Sequence, residues 1–232
     1  MTTDTKPQTE QRTPLNRERV LEAAVAQADQ GGLAEVSMRK LAQSLGVEAM
    51  SLYNHVDGKD DVLDGMLEIV MGEINEAVDA MASGGLSWKT IMRNRILGAR
   101  EVLLRHKWAP RVIETRTQVS QSMMGYFEAI LETFVAGGFS YDLAHHAMHA
   151  LGSRALGFSQ ELFEPEDGEE ETEMDAATIQ QMAAIYPQMA AMLDNVAHEG
   201  PDTTIGWCDD QTEFEFGLDL ILDGLDRRLA SP

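Results

Sequence analysis

Along most of the chain, apolar residues return every third or fourth position, and no convincing strand is predicted. The clearest pattern lies in residues 37–56, SMRKLAQSLGVEAMSLYNHV. Met38, Leu41, Ala42 and Leu45 fall at i, i+3, i+4 and i+7 and give a short helix one apolar stripe. Ser37 stands at the N-cap, where a hydroxyl satisfies backbone donors that the first turn leaves open. Gly46 follows, free to take the positive φ with which a helix stops in one step. A second helix is predicted from Val47-Glu48 to His55, with Leu52 and Val56 inward, Met50, Ser51, Asn54 and His55 elsewhere and Tyr53 at the edge. Two short helices on a tight turn predict a helix-turn-helix, a motif whose second helix lies in a DNA major groove.

The flanking pattern supplies the rest of a small helical domain. Residues 1–14 are polar and read as a flexible arm. Asn16 caps a first helix, with Leu15 and Val20 in hydrophobic-staple spacing, Val20, Leu21, Ala24 and Ala28 inward, and Gly31-Gly32 at its end. From Asp60, the residues Leu63, Met66, Leu67, Val70, Ile74, Ala77, Val78 and Met81 predict one helix of about six turns, roughly 30 Å long. The domain reading is therefore an arm at 1–14, a helix-turn-helix domain at 15–60, a connecting helix at 61–82 and a larger helical domain at 83–232.

In that larger domain, Ser87 caps a helix that closes before Pro110, and a turn is expected at 110–115. A helix over 119–136 carries Met123, Phe127, Ile130, Leu131 and Phe134 inward, and Ser140 caps another to Phe163. Helix 176–198 should break at Pro187. The last helix opens on Asp210-Gln211-Thr212-Glu213, a capping-box variant, and closes near Arg227-Arg228. The fold class is all-α.

Composition narrows the class further. The chain's 232 residues are 44% apolar and only 6% aromatic, which suits packed helices. Cys208 is the single cysteine, so an intrachain disulfide cannot form; with no apolar run at the N-terminus and no membrane-length segment, a cytoplasmic location away from membranes is expected. A net charge of −21 argues against nucleic acid as a partner, yet residues 1–60 carry seven Lys/Arg against nine Asp/Glu, while 61–232 carry eleven against thirty. A near-neutral head on an acidic body still binds DNA through local contacts. The run EPEDGEEETEMD at 164–175, with eight acids in twelve residues, reads as a solvated linker.

Residues 15–70 also resemble the TetR (tetracycline-repressor) family: the helix-turn-helix above, the Leu15–Gly32 helix before it, and Asp57-Gly58-Lys59-Asp60-Asp61-Val62-Leu63 after it. Residues 214–225, FEFGLDLILDGL, resemble the last helix of the tetracycline repressors. The resemblance implies a two-fold homodimer that binds double-stranded operator DNA and responds to a small-molecule effector. It implies base or phosphate contact by Arg39, contacts from the reading helix by Ser51, Tyr53 and His55, and a phosphate anchor at Lys59. Ser37 is a further phosphate donor at its helix start. Packing remains an alternative for Tyr53, a helix-end cap for His55, and a solvated face for Arg39 and Lys40. Ala49 and Met50 stand where the tetracycline repressors present an amide and a proline; they touch thymine methyls but make no base hydrogen bond.

For the effector, polar or aromatic residues that interrupt apolar faces are candidates: Arg95, Trp108, Arg116, Met124, Phe127, His145, His149 and Glu161. The resemblance places a metal-holding histidine of tetracycline binding at Ile113, so that binding mode is not expected here, and neither a cofactor nor a metal is. Leu218, Ile221, Leu222 and Leu225, at i, i+3, i+4 and i+7, are expected as a dimer seam, with an intrachain core as the alternative and Gly217 and Gly224 permitting close approach. No nucleophile elbow, phosphate loop, dinucleotide glycine motif or paired-cysteine site is present, so the chain is not expected to be an enzyme. The expected function is a ligand-released repressor; an activator and an acidic interaction module without specific DNA binding are the alternatives.

Overall fold

The computed structural model describes residues 14–80, 85–116, 119–157 and 210–230, with parts of 181–191. All regular structure among them is helical: α1 (Arg17–Gly31), α2 (Met38–Leu45), α3 (Ala49–Leu52), α4 (Lys59–Ala80), α5 (Trp88–Arg105), α6 (Ala109–Thr115), α7 (Gln121–Ala136), α8 (Tyr141–Gly157) and α9 (Asp210–Leu229). No helix among the described residues is long and apolar enough to cross a membrane.

The chain divides into two compact units, one within 1–73 and 105–122, the other within 74–104 and 123–232. The smaller unit therefore takes in α6 as well as the helix-turn-helix, a grouping that the expected boundary at 82/83 does not contain. Its helices end where their sequence says they should. Asn16 Oδ1 accepts from the Arg19 amide at 2.9 Å, and Ser37 Oγ accepts from the Lys40 amide at 3.2 Å. Gly46 adopts φ 66° and ψ 36°, the left-handed conformation that closes α2. Val20, Ala24, Leu41, Leu52, Val62, Met66 and Val70 are buried. At Gly65 of α4 a Cβ would lie 2.5 Å from the Leu21 side chain, so α1 and α4 meet as closely as a glycine allows.

Arg17 grips Asp61 with both terminal nitrogens, at 2.6 and 2.7 Å. That hydrogen bonding from Arg17 holds the Asp61 carboxyl below its ordinary value, opposed by partial burial. The pair's contribution is complete above the ordinary carboxylate pKa and is lost as pH falls through the lowered one. Both side chains are partly exposed, so this tie is worth little next to the core.

In the larger unit, α5, α7, α8 and α9 surround one apolar core built on Met92, Phe134, Leu151, Phe214, Leu218 and Leu222. Trp88 meets Phe139 edge-on at 4.7 Å, and Phe134 lies 4.8 Å from Phe139. Along one side α5 and α9 are joined by charge: Arg93 reaches Asp219 at 2.8 Å and Glu215 at 2.6 Å, and Lys89 pairs with Asp223.

Three local expectations change. The reading helix α3 has four residues rather than running to His55, because residues 53–55 turn out of helical geometry. Residues 110–115 are part of a helix, α6, not a turn: Pro110 sits in its first turn, where a missing amide hydrogen costs nothing. Tyr186 interrupts helical residues 183–185 and 187–188, which places the expected break immediately before Pro187; the rest of that segment, the arm before residue 14, the acidic run and Cys208 lie outside the described residues.

Phe134 is fully buried between two aromatic neighbours, so Phe134→Ala should cost about 3–5 kcal/mol in a urea unfolding titration. A loss below about 1 kcal/mol would mean that the larger unit does not depend on this cluster.

Candidate nucleic-acid interface and effector site

A four-residue helix can read a groove only if its neighbours hold it. Leu52 is the inward side chain of α3 and is fully buried, with Val56 buried just after it. The α1 side chain of Gln27 adds a polar tie to α2, its Nε2 donating to Ser44 Oγ at 2.9 Å and to the Lys40 carbonyl at 3.3 Å. With its apolar side anchored, α3 turns Ala49, Met50 and Tyr53 to solvent; Met50 is 73% exposed and Tyr53 47%. Ser51 and His55 are half-buried.

The cations around α3 differ in what they already hold. Lys40 is paired with Glu35 at 2.5 Å. Arg39 and Lys59 are exposed and pair with no carboxylate among the described residues. One precedes α3 and the other follows it, on either side of the exposed Met50 and Tyr53. Ser37 Oγ accepts the Lys40 amide and keeps its own hydrogen for another acceptor.

The expected effector residues separate. Arg95, Met124, Phe127, His145 and His149 belong to the larger unit, and Trp108 and Arg116 to the smaller one; Glu161 lies outside the described residues. Trp108 is buried and its indole Nε1 donates to Asp29 Oδ1 at 2.7 Å. Arg116 is engaged by Asp64 at 3.0 Å and Asp60 at 3.4 Å at the start of α4. These two side chains thus have structural partners within their own unit. His145 and His149 are exposed, with ring centroids 4.6 Å apart on α8. Among the described residues no group of three possible ligands is placed to hold a metal ion. Arg95 lies over Tyr126, its guanidinium carbon 5.5 Å from the ring centroid. Burial pushes the Tyr126 phenol up to about 12, with Arg95 pulling the other way.

Comparison with known proteins bears on the whole chain. Residues 20–66 match the family described as bacterial regulatory proteins, tetR family, and residues 82–229 match the tetracyclin repressor-like, C-terminal domain. The chain belongs to the TetR family. It is therefore a transcriptional regulator with a helix-turn-helix DNA-binding domain, and not an enzyme. An HTH-type transcriptional regulator from Saccharopolyspora erythraea is 30% identical over 95% of this chain and 89% of its own length. The HTH-type transcriptional repressor DrrR1 of Streptomyces coeruleorubidus is 29% identical over 98% and 83%. The solved structure of a possible TetR family regulator from Streptomyces coelicolor superposes with a TM-score of 0.72 at 26% identity, over 91% of this chain and 99% of that one.

Within this TetR-family frame, the leucines expected as a dimer seam prove to be intrachain core. Leu218 and Leu222 are fully buried, Leu225 is 9% exposed, and Ile221 packs against the same cluster. Gly217 does permit close approach, but to Arg154 of α8 in the same chain. The exposed apolar residues of α9 are Phe216 and Leu220, one turn apart on the opposite face. The signal was present in the sequence: α9 carries too many apolar residues for one stripe.

A buried polar cluster in the smaller unit carries no such signal. His106 is 6% exposed; its Nδ1 lies 2.8 Å from Asp29 Oδ1 and its Nε2 3.3 Å from Glu73 Oε2. Arg105 meets the same Glu73 oxygen at 2.7 Å. One imidazole thus links the end of α1 to the middle of α4. Replacing Asp29 by Ala strips a partner from both His106 and Trp108 and should cost about 1–3 kcal/mol in chemical denaturation, with Asp29→Asn losing less. Equal stability of wild type and Asp29→Ala would show that these bonds are exchanged for water without loss.

Proposed function

We propose that two copies of this chain bind a pseudo-palindromic operator as a repressor and are released by a small-molecule effector. The observation that carries the reading is the surface around α3: Met50 exposed on the helix and Tyr53 just past its end, with Arg39 and Lys59 exposed on either side of it and without a carboxylate partner among the described residues. Phosphates fix the register through the two cations, with Ser37 as a further donor, while Ala49, Met50, Ser51, Tyr53 and His55 face base edges. With Ala49 and Met50 leading, direct readout leans on thymine methyls and on DNA shape more than on bidentate hydrogen bonds.

One head covers too little DNA for a specific site, and a second copy doubles it. Half-sites then lie roughly 34–36 Å apart. Phe216 and Leu220 on the outer face of α9 support pairing through the larger unit, since an i, i+4 apolar pair in water gains by being covered. A repressor needs only to occupy its promoter. Release follows if the effector prefers the conformation that does not bind operator, by a coupling of about 1–3 kcal/mol. The helix α4 supports this route, because it supplies residues 59–73 to the reading unit and 74–80 to the other.

Selection of fragments of the source genome by the purified protein, beside an Arg39→Ala/Tyr53→Ala double variant, tests the reading. One inverted repeat enriched by wild type and not by the variant is the expected result. A folded wild-type protein that enriches nothing would overturn it and favour the interaction-module alternative.

A further inference from the structure

Among the described residues, Arg95 is the one cation of α5 with neither a hydrogen-bond nor an ion-pair partner, Arg105 being held by Glu73. Lys89 is paired with Asp223, Arg93 with Asp219 and Glu215, and Arg100 hydrogen-bonds Gln211 while its guanidinium lies 4.2 Å from the Phe214 ring centroid. Arg95 is half-buried, pairs with no carboxylate among the described residues, and its Nε is buried without a hydrogen-bond partner among them. This occurs in a chain of 39 acidic against 18 basic residues, where an acidic neighbour is the expectation for any arginine. A buried N–H of a charged group left without an acceptor costs about 1–3 kcal/mol or more, which is recovered when an acceptor is supplied.

The surroundings say what kind of acceptor. Tyr126 of α7 lies under the guanidinium, and its phenol is held neutral well above physiological pH, so it gives Arg95 a ring face and no counter-charge. The next residue, Phe127, has its ring centroid 6.3 Å from that of Tyr126 and is 36% exposed. Nearly one turn before Phe127 on the same helix, Met124 is exposed as well, a flexible side chain that shapes itself to flat surfaces. A planar guanidinium over the Tyr126 ring, with the Phe127 ring next to that one, matches a flat aromatic body carrying a carboxylate, which arginine binds with two parallel charge-assisted hydrogen bonds.

We infer that Arg95 and Tyr126 form the head of the effector site and that the effector is a planar aromatic carboxylate. The inference rests on the reading that the larger unit binds a small effector, and adds its charge and shape. Cationic amphiphiles are disfavoured at this site, because their charge would face a guanidinium with no carboxylate to offset it.

A matched pair of probes tests this: 2-naphthoate and its uncharged isostere 2-naphthamide, titrated calorimetrically into the full-length protein. Wild type should bind the carboxylate at least tenfold more tightly than the amide. Arg95→Gln should remove that preference while leaving the amide within twofold of its wild-type affinity, and Arg95→Lys should keep part of it. Equal binding of both probes by wild type, a carboxylate preference that survives in Arg95→Gln, or no carboxylate binding at millimolar concentration would each overturn the inference. Retention of a selected genomic fragment by wild type and Arg95→Gln, measured without probe, separates the two levels. Fragment binding with no carboxylate preference sinks the Arg95 assignment alone, whereas loss of fragment binding by wild type sinks the regulator reading beneath it.

Discussion

A helix of four residues does not hold its own shape in water, since nucleation consumes more conformational entropy than one hydrogen-bonded turn returns. Everything the reading unit does follows from this constraint on α3. Its geometry is lent by what surrounds it: Leu52 and Val56 seated among the buried side chains of the unit, Gly46 closing α2 in one step, and the Gln27 amide bonded to α2. The apolar residues that fix α3 are one side of it, and the residues left for DNA are the other. Binding surface and packing surface are thus set by the same alternation, and a side chain cannot serve both.

The acidic balance of the chain fits this division. Its charge of −21 is concentrated beyond residue 60, and two cations of α5, Lys89 and Arg93, are matched to carboxylates of α9. In the reading unit, Arg17, Lys40, Arg105 and Arg116 are similarly engaged by acids. Among the described residues, Arg39 and Lys59 beside α3 and the half-buried Arg95 in the larger unit pair with no carboxylate, as do the exposed Arg111, Arg227 and Arg228.

Most of the fold was legible because its signals are local. Caps at Asn16 and Ser37, the left-handed Gly46 and the long apolar period of α4 are written within a few residues of where they act. The errors arose where local signals have two meanings. Pro110 stops one helix and starts another with the same ring, and Leu218, Leu222 and Leu225 show an apolar stripe without showing which molecule covers it. Partnerships across long sequence separations left no trace at all: nothing near His106 announces Asp29, 77 residues away, or turns Trp108 from a ligand candidate into a donor to that carboxylate. Arg95 was visible as a polar interruption of an apolar face, but its lack of a carboxylate is a property of the folded neighbourhood.

On the proposed reading Arg39 and Lys59, which pair with no carboxylate among the described residues, hold DNA phosphates. The dependence of affinity on salt, measured on a selected duplex for wild type and Lys59→Ala, tests it most directly. Each phosphate contact contributes about 0.9 to the slope of log affinity against log salt, so losing Lys59 from both copies of a dimer should flatten it by about two. A weakened complex with an unchanged slope would contradict the account, because Lys59 would then be supporting the fold rather than the phosphate backbone.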